Sequence, residues 1–216
     1  MTLDLSPPVL YSFRRCPYAM RARLAILASG LTVELREIVL REKAPEFLAS
    51  SAKGTVPVLV TPSVVIEESF DVMLWALEQS DPEGWLAMPE VGYEWITRCD
   101  GPFKTALDHT KYAVRYPDLD PEQERGRAAE FLVDLNLQIA SSDWLFGAKC
   151  TLADMAIVPF VRQFTNSDRC WFDAQPWPNL QRWLSGSLAS DHFAMIMTKY
   201  PKWKAGDRPV LFPNQA

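Results

Sequence analysis

Cysteine is sparse in this chain and histidine almost missing: Cys16, Cys99, Cys150 and Cys170 are the four cysteines, and His109 and His192 the two histidines, in 216 residues. No two cysteines form a C-x-x-C pair, so neither a zinc site nor a disulfide framework is indicated, and a reducing compartment fits best. Two histidines give a histidine-based metal centre or a Ser-His-Asp triad little material, and no metal is expected. Dense basic blocks are also lacking. With a net charge of −5, nucleic acid is an unexpected partner. No apolar run approaches the length of a membrane span, and residues 1–8 lack both a basic n-region and an apolar h-region. The expectation is a cytoplasmic protein that neither enters a membrane nor carries a leader.

What the chain does have is a hydrophobic content of 48%, enough for a substantial core. Its most informative point is Cys16. Val9 to Phe13 reads as a short buried strand and Pro17 to about Ser29 as a helix, which sets Cys16 at a strand-to-helix turn. The first turn of a helix offers unpaired N–H groups and partial positive charge, and both favour a thiolate over a thiol. Pro17 suits the first helical position, where its missing N–H costs nothing. The nearest thing to a basic cluster, Arg14, Arg15, Arg21 and Arg23, surrounds this cysteine. The plainer reading is a small buried apolar residue, as free cysteines commonly are.

The first eighty residues alternate strand and helix signals. Gly30 closes the first helix, Val33 to Val39 reads as a strand, and a short helical piece lies around Ala44 to Ser50. Two β-rich runs, Val56 to Val60 and Val64 to Glu67, flank the turn residues Thr61-Pro62-Ser63, and a helix follows from Ser69 to Glu78. The order βαβαββα predicts an α/β domain over 1–79. After the linker-like Ser80 to Gly84 strand signals stop, and an all-helical domain is expected over 85–216. Ala128, Phe131, Leu132, Leu135 and Ile139 share one helix face, and Phe193, Ile196, Met197 and Tyr200 repeat that pattern near the end. Gly101-Pro102 and Pro159 should break or bend their helices. Thr151 and Asp154 have capping-box spacing at the start of an apolar helix, Leu152 to Phe164. Asp100, Lys104 and Asp108, at i, i+4 and i+8, read as exposed ion pairs.

With these residues in view, the N-terminal half resembles the thioredoxin-like domain of the glutathione transferase superfamily, and the whole chain is similar to its two-domain members. Thr151-Leu152-Ala153-Asp154 resembles the capping box of that family. Cys16-Pro17-Tyr18-Ala19 looks closest to the cysteine-containing omega-like branch, and resembles a glutaredoxin active site with Ala19 in place of the second cysteine. Asp100-Gly101-Pro102-Phe103-Lys104 resembles a bacterial subgroup.

The resemblance implies glutathione as co-substrate, a ligand with two carboxylates, an ammonium and a thiol. Val56, before a Pro57 expected to be cis, would offer its main chain to the ligand's backbone. Glu68 and Ser69 resemble the acid and hydroxyl of the γ-glutamyl pocket, with Ser69 as helix N-cap. Lys43 resembles the lysine directed at the glycyl carboxylate, and Lys53 competes for that part. With Ala19 in the resolving position, Cys16 must leave resolution to a second thiol, which points to a thiol transferase or reductase working through a mixed disulfide. Arg14, Arg15 and Arg21 are candidates to hold the thiolate. The alternatives are a conventional transferase in which Tyr11 or Ser12 activates glutathione, and a non-enzymatic adaptor that kept the fold. An electrophile pocket is expected above Cys16 between the domains, walled by Tyr18, Phe103, Leu107, Tyr112 and Trp171. The resemblance also implies a homodimer.

Overall fold

The computed structural model describes residues 7–214 of the chain, so residues 1–6, most of the stretch read for a leader, lie outside it. Two compact units result: one runs to Glu83 and resumes at Ser190, and the other is Gly84–Ala189.

The first unit follows the expected order. Strand β1 (Val9–Ser12) leads into helix α1 (Pro17–Ala28), then β2 (Val33–Glu37), α2 (Pro45–Ser50), β3 (Val58–Val60), β4 (Val65–Ile66) and α3 (Ser69–Gln79). Strand β1 pairs parallel with β2, Val9 opposite Glu34, and antiparallel with β3, Val9 opposite Val60. A helix joins the parallel pair and a short turn joins β3 to β4, as those geometries require. Pro17 is the first residue of α1, and Gly30, at φ +72°, ends it in the left-handed region that glycine tolerates best. Leu10, Met20, Leu24, Val58, Leu59 and Met73 are sealed from water and form the centre of this unit.

The C-terminal segment corrects the expected boundary. The sequence reading gives 85–216 to a helical domain, yet from Ser190 the chain rejoins the first unit. After α10 (Asp191–Ile196) a fifth strand, β5 (Leu211–Phe212), pairs antiparallel with β2, giving the sheet order β4-β3-β1-β2-β5. The backbone explains the return: Leu35 donates to the Val210 carbonyl at 2.7 Å and Trp203 to the Glu37 carbonyl at 2.9 Å. An otherwise open edge of β2 is thereby satisfied.

The second unit is helical. Helix α4 (Val91–Arg98) passes through one wide π-type turn, Cys99–Phe103, into α5 (Lys104–Lys111). The break expected at Gly101-Pro102 is thus a local widening that absorbs the proline without ending the run. Lys104 and Asp108 pair along α5. Next come α6 (Pro121–Gln138), α7 (Leu152–Thr165), α8 (Arg169–Asp173) and α9 (Pro178–Ala189). The predicted face of α6 is buried, from Ala128 to Leu135, with Ile139 just beyond it. Among the described residues, no helix is long and apolar enough to cross a membrane.

Asp154 is the polar centre of this unit. Fully buried, its carboxylate accepts from the backbone N–H groups of Thr151 and Leu145, from the Thr151 hydroxyl and from Trp183 Nε1, each at 2.9 Å. The capping box accounts for the Thr151 contacts, whereas Leu145 and Trp183 come from elsewhere in the chain. Burial pushes the Asp154 pKa up while these donors pull it down. Removing the carboxylate strands several buried donors, so Asp154→Ala should cost about 3 kcal/mol or more of unfolding free energy. Thr151→Ala should cost only about 1 kcal/mol; urea denaturation of both variants checks the ranking.

Candidate active site

Cys16 closes a turn. Its N–H donates to the Phe13 carbonyl at 3.0 Å, and its own carbonyl receives the Met20 N–H at 2.9 Å, the first bond of α1. Its backbone is still extended, at φ −77° and ψ 124°, which makes it the N-cap. The side chain is partly exposed, and Sγ lies 3.7 Å from the Val56 carbonyl oxygen, to which the protonated thiol donates. The helix start favours a thiolate, whereas the bond to the Val56 carbonyl favours the protonated thiol.

The four arginines around it have separate destinations. Arg15 is exposed and rests over the Phe13 ring, and Arg21, 3% exposed, donates from Nε to Ser69 Oγ at 2.9 Å. Arg23 is 1% exposed and donates to the Ser12 hydroxyl and, through Nη2, to the Arg14 carbonyl at 2.8 Å. The Arg14 N–H meets Glu37 Oε1 at 2.7 Å. Loss of hydration lowers the Arg23 pKa to about 10, against the raising influence of Glu37 and Cys16.

The peptide Val56-Pro57 is cis, as the resemblance implies, and both residues are buried. Two residues earlier, Gly54 adopts φ +59°, and a Cβ there would come within 3.1 Å of Lys43 Nζ and 3.0 Å of Leu48. Lys43, an exposed residue, therefore lies against the Gly54 turn. Lys53 instead pairs with Glu68 at 2.7 Å and lies 4.0 Å from Glu67. That pairing raises the Lys53 pKa, through the hydrogen bond and charge of Glu68. Glu67 in turn accepts from the Ser51 hydroxyl at 2.5 Å.

Ser69 differs from expectation by one position. The N-cap of α3 is Glu68, and Ser69 is the first helical residue, 3% exposed, its hydroxyl accepting from Arg21. Reading an N-cap from a serine misses cases in which the preceding residue holds the extended backbone.

Both hydroxyl alternatives to the thiol are enclosed. Tyr11 is 2% exposed, packed against Phe47 and Trp203, and its oxygen receives Arg36 Nη1 at 2.8 Å. Ser12 is fully buried under Arg23. Among the expected pocket walls, Phe103 is 1% exposed in a ring stack with Phe131, and Leu107 is fully buried; both belong to the helical core, which corrects their assignment as ligand contacts. Tyr18 and Tyr112 are partly exposed, each beneath arginine. Trp171 lines a cavity of about 430 Å³ inside the helical unit, with Phe164, Arg125 and Thr110. No group of three or more metal-ligating side chains occurs among the described residues. Ser12→Ala removes an acceptor from a buried guanidinium and should destabilise the protein by about 1–3 kcal/mol, read as a lower midpoint in urea.

Residues 10–84 match the family described as Glutathione S-transferase, N-terminal domain, and residues 93–185 its C-terminal domain. A probable glutathione transferase of Aplysia californica is 36% identical over 70 residues, which cover 32% of this chain and 75% of that one. Elongation factor 1-gamma 3 of Oryza sativa subsp. japonica is 25% identical over 188 residues, 76% of this chain and 45% of the factor. The chain thus spans less than half the length of that relative. A crystal structure of a glutathione transferase from Pseudomonas putida, with one glutathione disulfide bound per subunit, has the same fold at a TM-score of 0.76 and 19% identity, over 91% of this chain and 93% of that one. A thioredoxin-like sheet unit, a helical unit and a matching domain model over each place this chain in the glutathione S-transferase family.

Proposed function

We propose that the chain is a glutathione-dependent thiol transferase of the omega-like kind, with Cys16 as its nucleophile. One observation carries this reading: of the three candidate side chains Tyr11, Ser12 and Cys16, only the cysteine is partly exposed, while both hydroxyls are buried and hydrogen-bonded to arginine.

In the proposed cycle the Cys16 thiolate attacks the glutathione sulfur of a glutathionylated substrate. The substrate thiolate leaves and takes a proton, and a Cys16–glutathione disulfide remains. The thiolate of a second glutathione attacks that disulfide, releasing glutathione disulfide and the Cys16 thiolate. The protein needs no second cysteine, which agrees with Ala19 in the resolving position. No metal enters the cycle.

The binding residues follow from what glutathione requires. The Val56 carbonyl, which faces Sγ, would accept the N–H of the ligand's cysteinyl residue. Taking that acceptor away from the thiol removes a bond that favours its protonated form, so ligand binding assists ionisation. Lys43 would meet the glycyl carboxylate, Glu68 the ammonium, and Ser69 with the first N–H groups of α3 the γ-glutamyl carboxylate. The Lys53–Glu68 pair lies in water and is held weakly, so an incoming ammonium can displace it. Tyr18 and Tyr112 are the proposed contacts for the second substrate, a small disulfide or electrophile. Homodimer formation and a cytoplasmic setting belong to the same reading.

The likeness to elongation factor 1-gamma 3 favours a second reading, a non-enzymatic adaptor. Conjugation by a conventional transferase is the third, and it would survive loss of Cys16.

Reduction of a glutathione mixed disulfide should fall to the uncatalysed rate in Cys16→Ser, with glutathione still bound in calorimetry; equal rates would exclude the thiol mechanism, and absent binding would favour the adaptor. Lys43→Ala should weaken glutathione roughly tenfold, whereas Lys53→Ala should leave it unchanged or tighter.

A further inference from the structure

The turn that presents Cys16 runs from Phe13 to Cys16, and Arg14 is its second residue. Side chains from two different elements hold both main-chain polar groups of Arg14. Arg23, the seventh residue of α1, donates to the carbonyl at 2.8 Å, and Glu37, the last residue of β2, accepts the N–H at 2.7 Å. The turn is therefore pinned on one side by a buried cation and on the other by a largely buried anion.

Neither group is fully used by these contacts. Arg23 Nε and Glu37 Oε2 are buried and have no hydrogen-bond partner among the described residues. Burying a guanidinium is costly, and a purely structural clamp would be cheaper with a neutral donor. The charge itself is the feature to be explained. The charged or titratable groups that act on Arg23 are Glu37 from β2, Arg14 from the turn, Tyr200 from the C-terminal segment and Cys16 at the helix start. Burial holds the Glu37 carboxyl above the ordinary carboxylate range, against Arg14 and Arg23.

We propose that Arg23 and Glu37 are an opposed pair of positioning residues for Cys16: Arg23 fixes the turn and favours the thiolate by its charge, and Glu37 fixes the turn from the other side while offsetting that charge. The pair sets how much of the thiol is ionised. This rests on Cys16 being the reacting thiol of the proposed function, but thiolate formation can be read without glutathione or any substrate.

The test is the pH profile of Cys16 alkylation by iodoacetamide, followed on the Cys16 peptide by mass spectrometry so that exposed Cys170 does not contribute. Arg23→Met should raise the apparent thiol pKa by about one unit, and Glu37→Gln, which can still accept the Arg14 N–H, should lower it by a smaller amount of the same order. Arg23→Lys, keeping the charge, should shift it less than Arg23→Met. A clamp without electrostatic action would loosen the turn in both variants and move the two profiles the same way or not at all, and that result overturns the proposal. If Arg23→Met does not fold, Glu37→Gln decides alone: a lowered pKa supports the pair, and an unchanged or raised one refutes it. An altered profile together with full mixed-disulfide reduction by Cys16→Ser would separate this pair from the proposed cycle.

Discussion

A buried guanidinium must be hydrogen-bonded, and the way Arg23 meets that demand organises the N-terminal unit around Cys16. Its acceptors are the Ser12 hydroxyl at the end of β1 and the Arg14 carbonyl in the following turn, while Glu37 at the end of β2 holds the Arg14 N–H. Two neighbouring parallel strands and the first helix are thereby tied at one corner of the sheet. Cys16 stands on that corner. Its position is a consequence of the hydrogen bonds that this buried guanidinium makes as much as of its own place in the helix.

The same corner explains why the thiol and not a hydroxyl is available. Ser12 is spent as an acceptor for Arg23, and Tyr11, on the opposite face of the strand, is enclosed by Arg36, Phe47 and Trp203 within the apolar cluster against which Cys16 packs. Alternation along β1 sends adjacent side chains to opposite faces, so Tyr11 and Ser12 cannot both approach the sulfur. The loop at Val56 then supplies the main-chain acceptor that Cys16 faces.

Local signals carried most of the architecture. The strand-turn-helix at Cys16, proline at the first position of α1, the closing Gly30, the hairpin around Thr61 to Ser63 and the capping box at Thr151 are each set by neighbours within a few residues, and each is found. What could not be read depends on distant partners. Leu211–Phe212 is too short to have a period, and only the exposed edge of β2 makes it a strand. Arg23 looks like any helical arginine until burial is known, and the acceptance of Trp183 by Asp154 spans 29 residues. Aromatic spacing on α5 could not distinguish a pocket wall from the core, and Phe103 and Leu107 proved to be core. At Ser69 the error was one residue, because the extended backbone belongs to Glu68.

Everything proposed for this chain turns on Cys16 forming a bond to the sulfur of glutathione. Incubation of the native protein with glutathione disulfide, followed by peptide mapping, tests that bond directly. The account predicts one glutathione on the peptide containing Cys16, removed by excess reduced glutathione and absent from Cys16→Ser. Modification confined to the exposed Cys170, with Cys16 unmodified, would contradict it.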